Sequence, residues 1–467
     1  MTTHPSLLWA DLGSTRLAIQ QERTTAAQAM EQSIGVAQSA ACQNTFLSLD
    51  LAGARAAAAA PAHRALPLAG LAISVKDLFD TAGSVTSAGS TVLAHSPVAM
   101  ADCPAVARLK AAGGAVLGRT NMVEFAFSGV GTNPHYGTPV NPCDTQVARI
   151  PGGSSSGAAV SVASGAVFMG LGSDTGGSLR IPAALCGIVG FKPTARTVPA
   201  QGTVPLSTTL DTVGALTRSV RDAITAHEIL SATPCPPATT DLRRIKLAVA
   251  HTTMLDSLEP AVAQAFERSV ALLRAAGVQI DDIKLPEIAD LGTIQSRGGF
   301  SAPEAQAWQR ARGLWPEQRA QYDPRVAQRI AMADTMTACD YVALHTARLD
   351  WIQRTNSALS AYDAVLSPTV PITAPPTASL APAAGHGVQQ DTQLQTQRDA
   401  EFWRVNGLLL RNTSVVNLLD GCAISLPCHA PGQLPVGLML WHGAMRDNSL
   451  LQLALWVETQ LTQSLLK

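Results

Sequence analysis

No stretch of this chain is apolar for long enough to cross a bilayer. The longest apolar run, at about residues 158–171, is broken by Ser and Gly and is too short. Its first residues, Met1-Thr2-Thr3-His4-Pro5, lack the basic-then-apolar order of a secretory leader. Charge is scarce as well. Asp, Glu, Lys and Arg make up 14% of 467 residues, the formal net charge is −1, and neither sign forms blocks. A nucleic-acid binder carries a basic footprint, so no nucleic acid is expected on the chain alone, and no membrane. The eight cysteines (Cys42, Cys103, Cys143, Cys186, Cys235, Cys339, Cys422 and Cys428) form no CxxC pair. Neither a zinc site nor a disulfide framework is indicated, and free thiols in a reducing cytoplasm are the better reading. The histidines, His63, His95, His135, His251 and His429 among them, show no metal-ligand spacing. A cytoplasmic protein using no metal and no cofactor is expected.

What is present points to an α/β fold. Residues 5–60 read as mostly helical, and no internal repeat follows them. Leu71-Ala72-Ile73-Ser74-Val75 is an apolar run suited to a buried strand, with Lys76 at its C-terminal end, where α/β folds place chemistry. Cys103–Ala112 reads as a helix with Asp102 as N-cap and Pro104 in its first turn, and Ala115–Gly118 as the next strand. Ala158–Phe168 is a small-residue run fit for a tightly buried helix, and Val167–Gly172 a strand leading to Asp174. Thr233–Pro237 is a linker. Ile245–Ala250, Tyr362–Pro371 and Ala423–Pro427 read as later strands, Pro260–Ala276 as an amphipathic helix, and residues 380–396 as a loop. Strand–helix–strand alternation predicts a large mixed, mostly parallel central sheet covered by helices on both faces. One domain is expected over 1–467, with its core at about 70–220.

Three segments carry chemistry: Ile73-Ser74-Val75-Lys76-Asp77, Pro151-Gly152-Gly153-Ser154-Ser155-Ser156-Gly157 and Asp174-Thr175-Gly176-Gly177-Ser178-Leu179-Arg180. A serine hydroxyl is a poor nucleophile until its proton is removed. A buried lysine can remove it, and a second serine can relay it. Gly176-Gly177 before Ser178 lets the backbone approach a substrate and aim N–H groups at a developing oxyanion. Amide-bond hydrolysis follows. Alone, a strand-end lysine is usually a solvated charge and a Gly/Ser run a flexible loop. The three together, in this order, are far more specific. Gly153-Ser154-Ser155-Ser156-Gly157 also fits a nucleophile elbow with Ser155 attacking. That reading needs a strand just before it, where Val147–Pro151 is a poor one, and leaves Lys76 and Ser178 unexplained.

The sequence resembles the amidase signature family, hydrolases with a Ser–cisSer–Lys triad. The likeness rests on Gly70–Asp77, Pro151–Gly157, Gly172–Ala183 and Gly187–Thr194, with Leu206–Gly214 and Tyr322–Arg325 also similar. The family resemblance implies the amidase signature fold, Ser178 as nucleophile, Ser154 as relay held by a cis peptide to Gly153, and Lys76 as base. Burial must lower the amine's pKa for that role, and Asp77 is expected to point away. Backbone N–H groups of Thr175, Gly176, Gly177 and Ser178 would form the oxyanion hole. Asp174, Arg180, Gly152 and Gly153 are expected to be structural or substrate-binding. Phe125, Phe127, Ser128, Gly129, His135 and Tyr136 are expected at the pocket, with residues 292–320 and 380–400 as other walls. A small linear amide is the expected substrate and a homodimer a possible assembly. The alternative within the family is the A subunit of a tRNA-dependent amidotransferase, and outside it a non-catalytic scaffold.

Overall fold

The computed structural model describes residues 9–237, 245–381 and 392–465. Eleven strands alternate with helices: β1 Phe46–Leu49, β2 Ala72–Lys76, β3 Ala115–Thr120, β4 Met169–Asp174, β5 Val189–Lys192, β6 Thr212–Thr217, β7 Lys246–His251, β8 Gln279–Lys284, β9 Ala364–Pro368, β10 Cys422–Pro427 and β11 Gly437–His442. They build one sheet in the order β1-β3-β2-β4-β6-β5-β10-β11-β9-β7-β8.

The expected α/β class and mixed sheet are observed, but the pairing is not mostly parallel. Only β3–β2, β2–β4, β9–β7 and β7–β8 run parallel, near the two flanks. The centre, from β4 through β6, β5, β10 and β11 to β9, is antiparallel. Helical crossovers set this pattern, because a parallel pair needs one. Pro104–Ala111 lies between β2 and β3, and Pro260–Ala275 between β7 and β8, whereas β10 turns directly into β11. The legible crossovers belong to the flanks and do not represent the centre.

Both faces of the sheet are packed, as alternation along a strand requires. On β7, Leu247 and Val249 cluster with Val262 and Phe266 of the Pro260–Ala275 helix and with Leu450 and Leu453 near the C-terminus. Ala248 and Ala250 face the other way, into a cluster holding Trp351, Leu359 and Val415.

The N-terminal region holds helices Leu12–Gln20, Ala26–Ala37 and Leu51–Ala59, capped by Asp11, Thr25 and Asp50. The mostly helical reading overlooked β1, which pairs antiparallel with β3; residues 5–8 of that segment lie outside the described residues. Four residues are too few to declare a strand by periodicity. The helix expected to start after Asp102 is Pro104–Ala111, with Cys103 at its N-cap. Asp102 instead accepts the Ala82 N–H and pairs with Lys110 at 2.9 Å. The small-residue helix spans Ser156–Ala163 and is buried throughout. Of the loop expected over 380–396, residues 382–391 lie outside the described residues, and from Thr392 the chain is a helix to Leu418.

Candidate active site

Parallel neighbours β2 and β4 end on the same edge of the sheet, which brings Lys76 and Asp174 together. Lys76 is wholly buried. Its Nζ lies 2.8 Å from Ser154 Oγ, 2.8 Å from Ser173 Oγ and 3.1 Å from Ser155 Oγ. Burial disfavours its charged form and lowers the pKa to about 7, against the opposing pull of Asp211 and Asp174. Asp77 turns to the other side of the strand. It pairs with Arg119 at 2.9 Å and accepts from Ser87 and the Gly89 N–H, so its charge does not oppose deprotonation of the neighbouring amine.

Ser154 and Ser155 precede the Ser156–Ala163 helix, and the Gly153–Ser154 peptide is cis. Gly153 donates its N–H to Gly129 O at 2.8 Å. A Cβ there would come within 2.9 Å of Gly131 Cα, so Gly152 and Gly153 serve close backbone packing.

The turn after β4 carries Thr175, Gly176, Gly177 and Ser178. Among the described residues, no acceptor takes any of their four backbone N–H groups. Gly177 has φ +138, and a Cβ on it would collide with Thr413. Below the turn, Arg180 pairs with Asp174 at 2.8 Å and donates to Asn417 Oδ1 at 2.7 Å; both charged side chains are wholly buried. Burial would raise the Asp174 carboxyl, but Arg180 outweighs it and holds the pKa at about 2. Neither Asp174 nor Arg180 lines the cavity, and each side chain bonds the other and Asn417. The Ser178 hydroxyl lies at the cavity wall. Among the described residues no hydrogen bond joins it to Ser154, so the contact from Lys76 to Ser154 is formed and the next one is open.

The cavity has a volume of about 600 Å³ and is lined by Thr175, Gly176 and Ser178 together with Phe127 and Ser128. Phe125, Gly129 and Tyr136, expected at the pocket, do not line it. Left-handed backbone at Phe125 and Ala126 (φ 48 and 61) turns the Phe125 ring inward, where it stacks on Tyr322 at 5.3 Å. Gly129 bonds Asn406 through its N–H, Tyr136 reaches Ser87, and His135 pairs with Glu124 at 3.0 Å. The 292–320 segment does supply a wall, through Gln295, Gly299 and Phe300. Of residues 380–400, those described do not line it, and residues 382–391 lie outside the described residues. The opposite wall comes from farther along the Thr392–Leu418 helix, at Trp403, Asn406 and Leu410.

Sequence reasoning missed Ser155 and Ser173 as partners of Lys76, and Asp211 altogether. Asp211 accepts from Thr175 Oγ1 at 2.5 Å and from the N–H groups of Leu206 and Ser207. Burial raises its pKa to about 6. Ser155 stands beside Ser154 in the quoted glycine run and Ser173 beside Asp174. Asp211 lies in the Leu206–Gly214 stretch quoted for its likeness, but nothing in that stretch singled it out, since its contact is with Thr175, 36 residues away in sequence.

A mixed sheet that delivers a buried amine, a bank of hydroxyls and a glycine turn to one cavity is built as an enzyme. The Amidase family model matches residues 28–451, and the chain belongs to that family. It is 35% identical over 434 residues to the 2-amino-5-chloromuconic acid deaminase of Comamonas testosteroni, covering 90% of this chain and 89% of that protein. It is 30% identical over 452 residues to the A subunit of the glutamyl-tRNA(Gln) amidotransferase of Roseiflexus sp. (strain RS-1), with 87% of each covered. A crystal structure of an amidase superposes with a TM-score of 0.81 at 30% identity, over 96% of this chain and 99% of the other. The chain is thus a hydrolase of carbon–nitrogen bonds. Among the described residues, no helix is long and apolar enough to cross a membrane.

Proposed function

We propose that the protein hydrolyses a small linear carboxamide through an acyl-enzyme on Ser178. The observation that carries this reading is the buried Lys76 amine, 2.8 Å from Ser154 Oγ and with its pKa lowered to about 7. Neutral Lys76 takes the Ser154 proton while Ser154 takes that of Ser178. The freed Ser178 oxygen attacks the amide carbon, and the carbonyl π pair moves onto oxygen. The four unpaired N–H groups of Thr175–Ser178 receive that oxyanion; one such donor is worth about 2.7–4 kcal/mol. Collapse breaks the C–N bond, and ammonia or an amine leaves with the proton returned through Ser154. Water then attacks the acyl carbon by the same route and releases the acid. Catalytic hydrogen bonds often tighten only once substrate is seated, which accounts for the open contact between Ser154 and Ser178.

The test is ammonia release by the purified chain over a panel of amides. Ser178→Ala and Lys76→Ala should each lower kcat by roughly 10⁴-fold or more with the fold retained by circular dichroism. Full turnover by Ser178→Ala would end the assignment. Ammonia release by the chain alone also separates a stand-alone amidase from one that needs partner chains.

A further inference from the structure

Two stretches far apart in the chain supply part of the cavity lining: Leu206 and Leu210, in the loop before β6, and the run from Gln295 to Ser301 that includes Phe300. One carboxylate ties them together. Glu304, near the start of the Ser301–Arg310 helix, accepts five hydrogen bonds. Its Oε2 takes the Ser207 hydroxyl at 2.6 Å, the Thr209 N–H at 3.0 Å and the Thr208 hydroxyl at 3.3 Å. Its Oε1 takes the Thr209 hydroxyl and, at 2.6 Å, that of Tyr341. Glu304 itself does not line the cavity.

The residues held by Glu304, Ser207, Thr208 and Thr209, are those between the two cavity-lining leucines. The Ser207 hydroxyl donates to Glu304 and accepts the Leu210 N–H at 3.1 Å, which sets where Leu210 stands. Tyr341, on the Ala338–Leu359 helix, bonds Glu304 and packs edge-on against the Phe300 ring at 6.1 Å, and His345 packs on the same ring at 4.8 Å. The ends of the loop are held separately. Asp211 accepts the N–H groups of Leu206 and Ser207 and the Thr175 hydroxyl, which fastens the loop to the glycine turn. One carboxylate therefore joins the loop to the turn, and a second joins it to the Phe300 side of the cavity. Apolar contact alone is non-directional. Hydrogen bonds to an ionised acceptor are directional and roughly twice as strong as neutral ones, so they fix a spacing that packing of Leu206, Leu210 and Phe300 would leave loose.

We propose that Glu304 is a positioning residue for substrate selection. By pinning Ser207–Thr209 to the Ser301–Arg310 helix it fixes where Leu206 and Leu210 stand relative to Phe300, and so the thickness of the acyl group that the cavity admits. This rests on the reading of Ser178 as the attacking group, since Ser178 lines the same cavity. The class selected is the amide of an unbranched chain over that of a bulky ring. The Asp211 end of the loop does not depend on Glu304, so the glycine turn keeps its place when Glu304 is lost and the effect falls on KM.

The experiment compares kcat and KM for heptanamide and cyclohexanecarboxamide, equal in carbon count, in wild type, Glu304→Ala, Glu304→Gln and Tyr341→Phe. Wild type should prefer heptanamide. Glu304→Ala should raise KM for heptanamide about 10-fold, the scale on which a pocket senses a methylene, with kcat little changed. The heptanamide-to-cyclohexanecarboxamide ratio of kcat/KM should fall by a similar factor. Tyr341→Phe removes one donor and should move both values the same way by less. Glu304→Gln keeps one acceptor oxygen and should recover part of the loss. An equal loss for both amides would overturn the proposal by showing that Glu304 serves the fold alone. A fall in kcat with KM unmoved would overturn it by placing the effect on the glycine turn. Either result leaves the amidase reading intact. Hydrogen exchange gives a readout apart from turnover. The Thr209 N–H bonds Glu304 and the Leu206 N–H bonds Asp211, so in Glu304→Ala exchange should quicken at Thr209 and stay slow at Leu206. Slow exchange at Thr209 in that variant would overturn the proposal whatever the enzyme hydrolyses. Wild type releasing ammonia from no amide would overturn the Ser178 reading, and with it the substrate class named here, even where exchange at Thr209 bears out the anchor.

Discussion

Lys76 acts as a base only while uncharged, so its environment sets the working pH. With its pKa lowered to about 7, kcat/KM should fall as pH drops below 7 and the amine takes up its proton. The same residue leaves a mark on stability. A lysine whose folded pKa lies below its unfolded value of 10.5 destabilises the fold fully below pH 7, and that penalty fades as pH rises to 10.5. Any melting-temperature advantage of Lys76→Met over wild type should therefore be greatest near pH 6 and shrink toward pH 10. A constant difference would mean that the buried amine is not titrating there. Asp211 is the foremost charge favouring protonated Lys76. Asp211→Asn keeps an oxygen for the Thr175 hydroxyl but removes that charge, so the acid limb of the pH–rate profile should move to lower pH. An unmoved limb with reduced kcat would assign Asp211 to holding the turn alone.

The site is assembled by elements far apart in the chain, and the Thr392–Leu418 helix holds it from behind. Asn417 donates to Asp174 O at 3.1 Å and Asp174 Oδ1 at 2.9 Å while accepting from Arg180. Asn417→Ala would leave the Arg180–Asp174 pair intact but take one hydrogen-bond partner from each of these wholly buried groups, at a cost of about 1–3 kcal/mol. Chemical denaturation should show that loss together with a lower kcat, because the turn bearing Ser178 rests on this brace. Unchanged stability would mean the helix merely covers the turn. What was legible in the sequence follows the same division. β2, β4 and the glycine segments declare themselves because each is contiguous and its chemistry is local. β8, Gln279-Ile280-Asp281-Asp282-Ile283-Lys284, is an edge strand without a buried face, so alternation could not reveal it. β11 is buried along its whole length and gives no alternation either. The wall from the Thr392–Leu418 helix begins at Trp403, beyond the 380–400 stretch expected to supply it, since nothing local announces which turn of a 27-residue helix meets the glycine turn. Phe125 and Phe127 were indistinguishable until left-handed backbone between them sent the rings to opposite sides.

At the scale of the whole molecule, distant parts of the chain meet at one acidic junction. Asp222, on the Val220–Ser231 helix, accepts the N–H groups of Leu12 and Gly13 at 2.8 and 3.0 Å, and Glu458 of the Asp447–Leu465 helix accepts that of Val220 at 2.9 Å. Asp11 joins them through Arg221. Three acids therefore share one small region. Arg221, Ser219 and Ser14 outweigh burial to hold Asp11 well below the usual carboxylate range, whereas burial and the charge on Asp11 raise Asp222 to about 6. Burial, then the charges on Asp222 and Asp11, raise Glu458 to about 7. A carboxyl whose folded pKa exceeds its unfolded value binds more protons when folded, so the fold loses stability as pH rises from 4.5 toward 7. Glu458→Gln keeps an acceptor for the Val220 N–H and removes the charge. Its melting temperature relative to wild type should rise between pH 5 and pH 8, with the kinetic constants for amide hydrolysis unaltered because the junction is remote from the cavity. An offset that stays flat across that range would place the Glu458 titration below pH 5 and show that the junction tolerates all three negative charges at once.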